Sequence, residues 1–123
     1  MKSRGGINMF WGAAAAAAFV LCAAKFITRR SGCPKADKLF RKLHAAAGGV
    51  LPAAACIHAA RRLRSGNCGA LTRVLGAVML LGIAALMLSH FFSKRLGRAW
   101  LRVHRAATVV TGLCLSVHIF GKK

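Results

Sequence analysis

Residues 42–58 read KLHAAAGGVLPAAACIH, and residues 102–118 read RVHRAATVVTGLCLSVH. Each segment holds two histidines fourteen positions apart inside an apolar run, and the second segment follows the first by sixty positions. In an α-helix, fourteen residues return to within about 40° of the starting direction and rise about 21 Å. Each segment is therefore expected to hold two imidazoles on one helix face, one near each side of a bilayer core about 30 Å thick.

The composition indicates a membrane protein. The 123 residues are 57% hydrophobic, and 20 Lys and Arg stand against one acid, Asp37, for a formal charge of +19. Such a charge in a soluble chain would point to nucleic acid, but here the cations fall in blocks between long apolar runs. This pattern is typical of a polytopic protein whose loops meet anionic lipid head groups. We therefore expect the lipid bilayer as a partner and no nucleic acid.

Four apolar segments are long enough to cross a bilayer, which needs about twenty predominantly apolar residues. The predicted spans are residues 8–28, 38–63, 70–93 and 99–120. The chain is thus expected to be an all-α membrane protein, a single transmembrane domain over residues 1–123 built as a four-helix up-down bundle. Asp37 is expected to cap the N-terminus of the second span, and residues 65–67 (Ser-Gly-Asn) to form the turn after it.

The distribution of Lys and Arg predicts the orientation of the spans. The side that holds the first and third loops carries twelve cations, and the opposite side carries eight. Because cytoplasmic loops are enriched in Lys and Arg, we expect these two loops in the cytoplasm and both termini outside. The predicted location is a bacterial inner (cytoplasmic) membrane.

The four repeated histidines are candidate haem ligands. With the spans running up and down, the second and fourth point the same way, so His44 and His104 are expected at one depth near the cytoplasmic face. His58 and His118 are then expected at one depth near the outer face. Two facing imidazoles suit a bis-histidine iron site, which predicts two haem b groups. The chain has no CxxCH motif, so the haems would be bound non-covalently.

Cations next to the histidines are candidate partners of the haem propionates, since carboxylates bind Lys and Arg by charge-assisted hydrogen bonds. Near the cytoplasmic pair these are Arg41, Lys42, Arg102 and Arg105, and near the outer pair they are Arg61, Arg62, Lys122 and Lys123. His90 has no histidine fourteen positions away. It is interpreted as an interfacial residue, with a role beside the His44 and His104 haem as the alternative.

The arrangement of the four histidines resembles that of the ferric reductase-like transmembrane domain. This domain is the membrane core of ferric reductases, NADPH oxidases and the haem subunit of the bacterial methionine-sulfoxide reductase system. The resemblance covers about residues 37–120 and rests mainly on the histidine spacing. It implies two stacked haems b, held by two histidines on each of two same-direction helices, with electrons passing from the cytoplasmic haem to the outer one. Members of this family usually have six spans, and many continue into a flavin or nicotinamide domain.

The predicted function is transmembrane electron transfer through two bis-histidine haem b groups, reduced by a redox partner protein or a quinol on the cytoplasmic side. Two histidines per iron leave no open coordination position, so no substrate site is expected. A haem-containing anchor subunit of a larger redox complex is an open alternative. A small four-span exporter of cationic compounds is disfavoured, because it needs a membrane-embedded carboxylate and no predicted span contains Asp or Glu.

Overall fold

The computed structural model describes residues 3–66 and 68–121, and residues 3–5 and 8 by their backbone alone. The described residues form five helices and no strand: α1 Ser3–Arg30, α2 Pro34–Arg64, α3 Ala70–Phe91, α4 Ser93–Leu96 and α5 Ala99–Phe120. All of these except α4 are long and apolar enough to cross a membrane. The prediction of an all-α membrane protein is confirmed.

The connection between α1 and α2 is shorter than the sequence predicts. Gly32 adopts a positive φ of 68° after the end of α1, a conformation that costs glycine little. Pro34 then begins α2, since its fixed φ and missing N–H fit the first position of a helix. The N–H of Asp37 donates to the Cys33 carbonyl at 3.0 Å. The prediction that Asp37 caps α2 is therefore wrong: it lies inside the first turn and forms an ion pair with Arg41 at 3.2 Å.

The chain divides into two compact units, Met1–Arg61 and Arg62–Lys123. In the first unit, α1 and α2 are antiparallel: residues near the end of α1 contact the start of α2, and residues early in α1 contact its later turns. Cys22 contacts His44, and Gly12 lies against His58. The predicted turn after α2 is formed at Ser65 and Gly66, and Asn67 lies outside the described residues.

In the second unit, α3 packs antiparallel against α5. Ser89 contacts His104, and the backbone at Gly82 approaches Thr111 so closely that a Cβ at position 82 would overlap the Thr111 hydroxyl. A single helical turn, α4, lies between α3 and α5, where the predicted spans leave residues 94–98 as a loop. It ends where the N–H of Gly97, at a positive φ of 53°, donates to the Ser93 carbonyl at 3.1 Å.

Each long helix has one buried side and one broad apolar side that remains exposed. The buried residues include Ala47, Leu51 and Ala54 on α2 and Thr111 on α5. Large apolar side chains are exposed all along the helices, for example Leu81 at 70%. Exposing so much apolar surface to water is unfavourable. The exposed apolar side chains are therefore those expected of helices that face lipid.

Candidate functional site

The predicted histidines lie on the buried side of their helices. In α2, His44 and His58 flank Leu51 at intervals of seven residues, and in α5 His104 and His118 flank Thr111 in the same way. Seven residues make nearly two turns, with a drift of about 20°. Leu51 is 6% exposed and Thr111 3%. Each histidine pair therefore shares a face with a buried residue near the middle of its helix.

Near the start of α2, a backbone carbonyl fixes the tautomer of His44. The Nδ1 atom lies 3.1 Å from the carbonyl oxygen of Cys22 on α1. A carbonyl oxygen only accepts hydrogen bonds, so Nδ1 of His44 must carry the proton. In the neutral ring the lone pair is then on Nε2. The Cys22 thiol in turn donates weakly to the His44 carbonyl at 3.8 Å, which adds a second contact between the same two residues.

His104, at the equivalent position of α5, has the same tautomer for a different reason. Its Nδ1 lies 3.0 Å from Oγ of Ser89 on α3, and that Oγ also lies 2.8 Å from the Leu86 carbonyl. A hydroxyl has one proton to donate. Both bonds form together when Ser89 donates to Leu86 and accepts from Nδ1–H of His104. The lone pair of His104 is then on Nε2, as it is in His44.

A glycine makes room for the imidazole of His58. A Cβ built on Gly12 of α1 would lie 3.0 Å from Cε1 and 3.1 Å from Nδ1 of His58. These distances are shorter than ordinary van der Waals contact, so the ring lies directly against the α1 backbone and a methyl group at position 12 would force it to move. The corresponding residue of α5, His118, has its Nδ1 atom buried. His58 is thus packed against α1, and His118 has at least one buried ring nitrogen.

The cations predicted beside the histidines occupy different environments. Arg41 lies about one turn before His44, and its guanidinium forms an ion pair with Asp37 at 3.2 Å. Arg62 lies about one turn after His58 on the same face of α2. Its Nε atom is buried and has no hydrogen-bond partner among the described residues.

The cations of α5 lie on its exposed surface. Arg105 directly follows His104 and lies about 100° from it around the helix, whereas Arg102 lies about 160° from His104. Both arginines are exposed. Lys122 and Lys123, predicted beside the outer pair, lie outside the described residues. On α5, Arg105 is thus closer than Arg102 to the histidine face.

The residues that orient the histidines could not be recognised from the histidine spacing. They are Cys22 and Gly12 on α1 and Ser89 on α3. A weak signal exists in α3, where Gly82 and Ser89 are seven residues apart, the same interval that separates His104 from Thr111 on the facing helix. His90 is exposed at the end of α3, and the hydrogen bond to His104 is made by its neighbour Ser89.

Two of the candidate ligands belong to each unit: His44 and His58 to the first, His104 and His118 to the second. Within the described part of the chain, no cluster of three or more His, Cys, Asp or Glu side chains is placed to hold a metal ion. Comparisons with protein-family models, with curated proteins and with solved structures give no match to this chain. The resemblance to ferric reductase-like domains accordingly depends on the spacing of its histidines.

Proposed function

We propose that this chain carries electrons across a membrane through two haem b groups. His44 and His104 would be the ligands of one haem, and His58 and His118 those of the other. The observation that favours this proposal most is the matched hydrogen bonding of His44 and His104, each of which donates from Nδ1 to an oxygen on the neighbouring helix.

The chemistry of these donors fits the proposed group. A histidine that binds iron through one ring nitrogen usually donates its other N–H to a carbonyl, carboxylate or water, which fixes the ring and raises the basicity of the ligand. The Cys22 carbonyl and the Ser89 hydroxyl supply this bond here. Both rings keep their lone pair on Nε2 before any metal binds, so no tautomer change is needed for ligation.

The environment of Arg62 also fits a haem with propionates. A buried guanidinium nitrogen without an acceptor is unfavourable, because the desolvated donor gains nothing in return. Arg62 presents such an Nε one turn from His58. A propionate carboxylate would supply the missing acceptor, and we propose Arg105 for the same role near His104. Arg41 already pairs with Asp37, so it would have to share its guanidinium.

When bound, haem b supplies one-electron chemistry through the ferric and ferrous states of its iron. The chain's own part is to hold the iron ligands at two levels of the membrane, to keep water from them and to compensate the propionate charge. We further propose that the first and third loops are cytoplasmic, in a bacterial inner membrane, because their side carries more cations. A redox partner protein or a quinol would be the donor on that side.

The test is spectroscopic. Detergent-purified protein should give a reduced-minus-oxidised spectrum with haem b bands, and carbon monoxide should leave the spectrum of the reduced protein unchanged, because two histidines occupy both axial positions. His58→Ala should remove one haem and leave the other, whereas His90→Ala should keep both. Absence of haem b bands from the wild-type protein, or no haem loss in the His58 variant, contradicts the proposal.

A further inference from the structure

The sixty-residue repeat of the histidines extends to a set of cations that precedes them. Lys35, Lys38 and Lys42 come before His44, and arginine occupies each of the three positions sixty residues later, 95, 98 and 102. In the first unit all three lysines lie in α2 and are exposed. We call Lys35, Lys38 and Lys42 the lysine stripe.

The lysine stripe lies on the side of α2 that faces away from the histidines. Its members are separated from one another by three, four and seven residues, which places them on one helix face. From His44 they are between about 120° and 180° around the helix. A group bound through the histidine face is therefore out of line with these lysines. The geometry disfavours the predicted role of Lys42 beside a haem propionate, and the three lysines are available to a different ligand.

The same face of α2 continues from the lysine stripe as an exposed apolar surface. Leu39 is 55% exposed, Val50 54% and Ile57 37%. These three lie about 65–90° from the mean direction of the lysine stripe, at the edge of a face on which Ala46 and Ala53 are exposed within about 50° of that direction. This side of α2 thus presents cations at one end of a membrane-spanning helix and, along the helix beyond them, small apolar residues flanked by larger apolar side chains that suit acyl chains.

The second unit repeats this arrangement. Arg98 precedes α5 and Arg102 lies in its first turn, both exposed. The face of α5 that continues from Arg102 exposes Val109 at 60%, Leu113 at 64% and Val117 at 51%. The two units therefore share the pattern of cations followed by exposed apolar side chains, although the apolar residues themselves differ.

The chain cannot neutralise these cations with its own acidic side chains. Asp37 is its only acid, and the carboxylate of Asp37 is paired with Arg41 at 3.2 Å. Cations at successive turns of one helix face repel one another. An external anion would remove that repulsion, and it must fit a surface that is basic at the level of the head groups and apolar below it.

We propose that the lysine stripe binds the head group of an anionic phospholipid whose acyl chains lie along the exposed face of α2, and that Arg98 and Arg102 form the equivalent site on α5. An acidic protein would match the charges but would not use the apolar face below them. A free phosphate ion would likewise ignore that face. The phospholipid is the ligand that uses both parts of the surface.

The experiment measures lipid retention by native mass spectrometry, on purified protein equilibrated in detergent with equal amounts of phosphatidylglycerol and phosphatidylcholine. The wild-type chain should retain phosphatidylglycerol in preference. Removing one cation near a membrane surface weakens the binding of anionic lipid by about fivefold, so Lys38→Gln should lower the preference by about that factor. The triple variant K35Q/K38Q/K42Q should lower it further.

The matched control is K35R/K38R/K42R, which keeps the three charges and should keep the preference. The double variant R98Q/R102Q tests the second site, and it remains informative if the triple glutamine variant does not fold. Equal retention of the two lipids by the wild-type chain overturns the proposal. An unchanged preference for phosphatidylglycerol in both glutamine variants also overturns it, since that result is expected if the surface binds an acidic protein. Displacement of the lipid by inorganic phosphate at equal concentration overturns it as well. None of these measurements depends on haem.

Discussion

Replacing Ser89 by alanine should weaken haem binding at His104 without removing the ligand itself. Ser89 is 2% exposed, and its hydroxyl oxygen accepts a hydrogen bond from Nδ1–H of His104 at 3.0 Å. Its loss takes this acceptor away from a partly buried imidazole, at a cost of about 1–3 kcal/mol. Loss of such an outer partner typically lowers metal affinity by about 10- to 100-fold, which corresponds to a similar free energy.

The assay has two readouts that separate orientation from folding. Haem titration of the haem-free protein, followed by absorbance, should show one of two sites weakened about 10- to 100-fold in Ser89→Ala. The ¹⁵N chemical shifts of the His104 ring in the haem-free protein report the tautomer directly. In the wild-type chain they should show Nδ1 protonated, and in the variant a mixture of both tautomers.

Ser116 offers the matched control. Its hydroxyl also donates to a carbonyl one turn earlier in the same helix, at 2.9 Å to Gly112, but Ser116 is exposed, whereas Ser89 is buried. Ser116→Ala should therefore leave haem affinity and the His104 tautomer unchanged. If Ser89→Ala binds two haems with wild-type affinity and keeps Nδ1 protonated, the orienting role assigned to Ser89 is refuted.

Two glycine substitutions give further predictions. Gly82→Ala should lower the stability of the second unit by about 1–3 kcal/mol through overpacking, because the new methyl group would overlap a hydroxyl of α5, whereas Gly76→Ala meets nothing within 4 Å; thermal unfolding in detergent compares the two. Gly12→Ala should displace the His58 ring, 3.0 Å from the added Cβ, and weaken haem binding at the outer pair. Gly6→Ala lies on the same helix with no neighbour within 4 Å, so this variant should bind both haems normally. Equal haem affinities in the Gly12 and Gly6 variants would argue against the contact between Gly12 and His58.

The sequence predicts the long helices well, because a membrane span is defined by composition over many residues. The fourth span, residues 99–120, agrees with α5 at both ends. Predicted and observed ends differ where charged residues extend a helix beyond the apolar core, as in α2, which begins at Pro34 and not at residue 38. Hydropathy identifies the part of a helix that lies in lipid. Pro34 and the lysines after it can form the first turns of the same helix outside lipid, and hydropathy does not detect these turns.

The contacts of the histidines could not be predicted in the same way. Which residue of α1 comes opposite His44 depends on the register of two smooth apolar helices, and an alanine-rich surface such as residues 13–18 fixes that register poorly. The structure brings the Cys22 carbonyl to this position, a group that every residue possesses and that leaves no trace in a sequence. Ser89 is visible in the sequence, but only the packing of α3 on α5 selects it over its neighbour His90.

The most direct test of the proposed electron conduit is the ratio of haem to protein in detergent-purified material, measured by pyridine haemochrome absorbance and quantitative amino-acid analysis. We expect two haem b per chain, and one when His118 is replaced by alanine. Protein that is folded and helical but purifies without haem, and takes up none on titration, would contradict it.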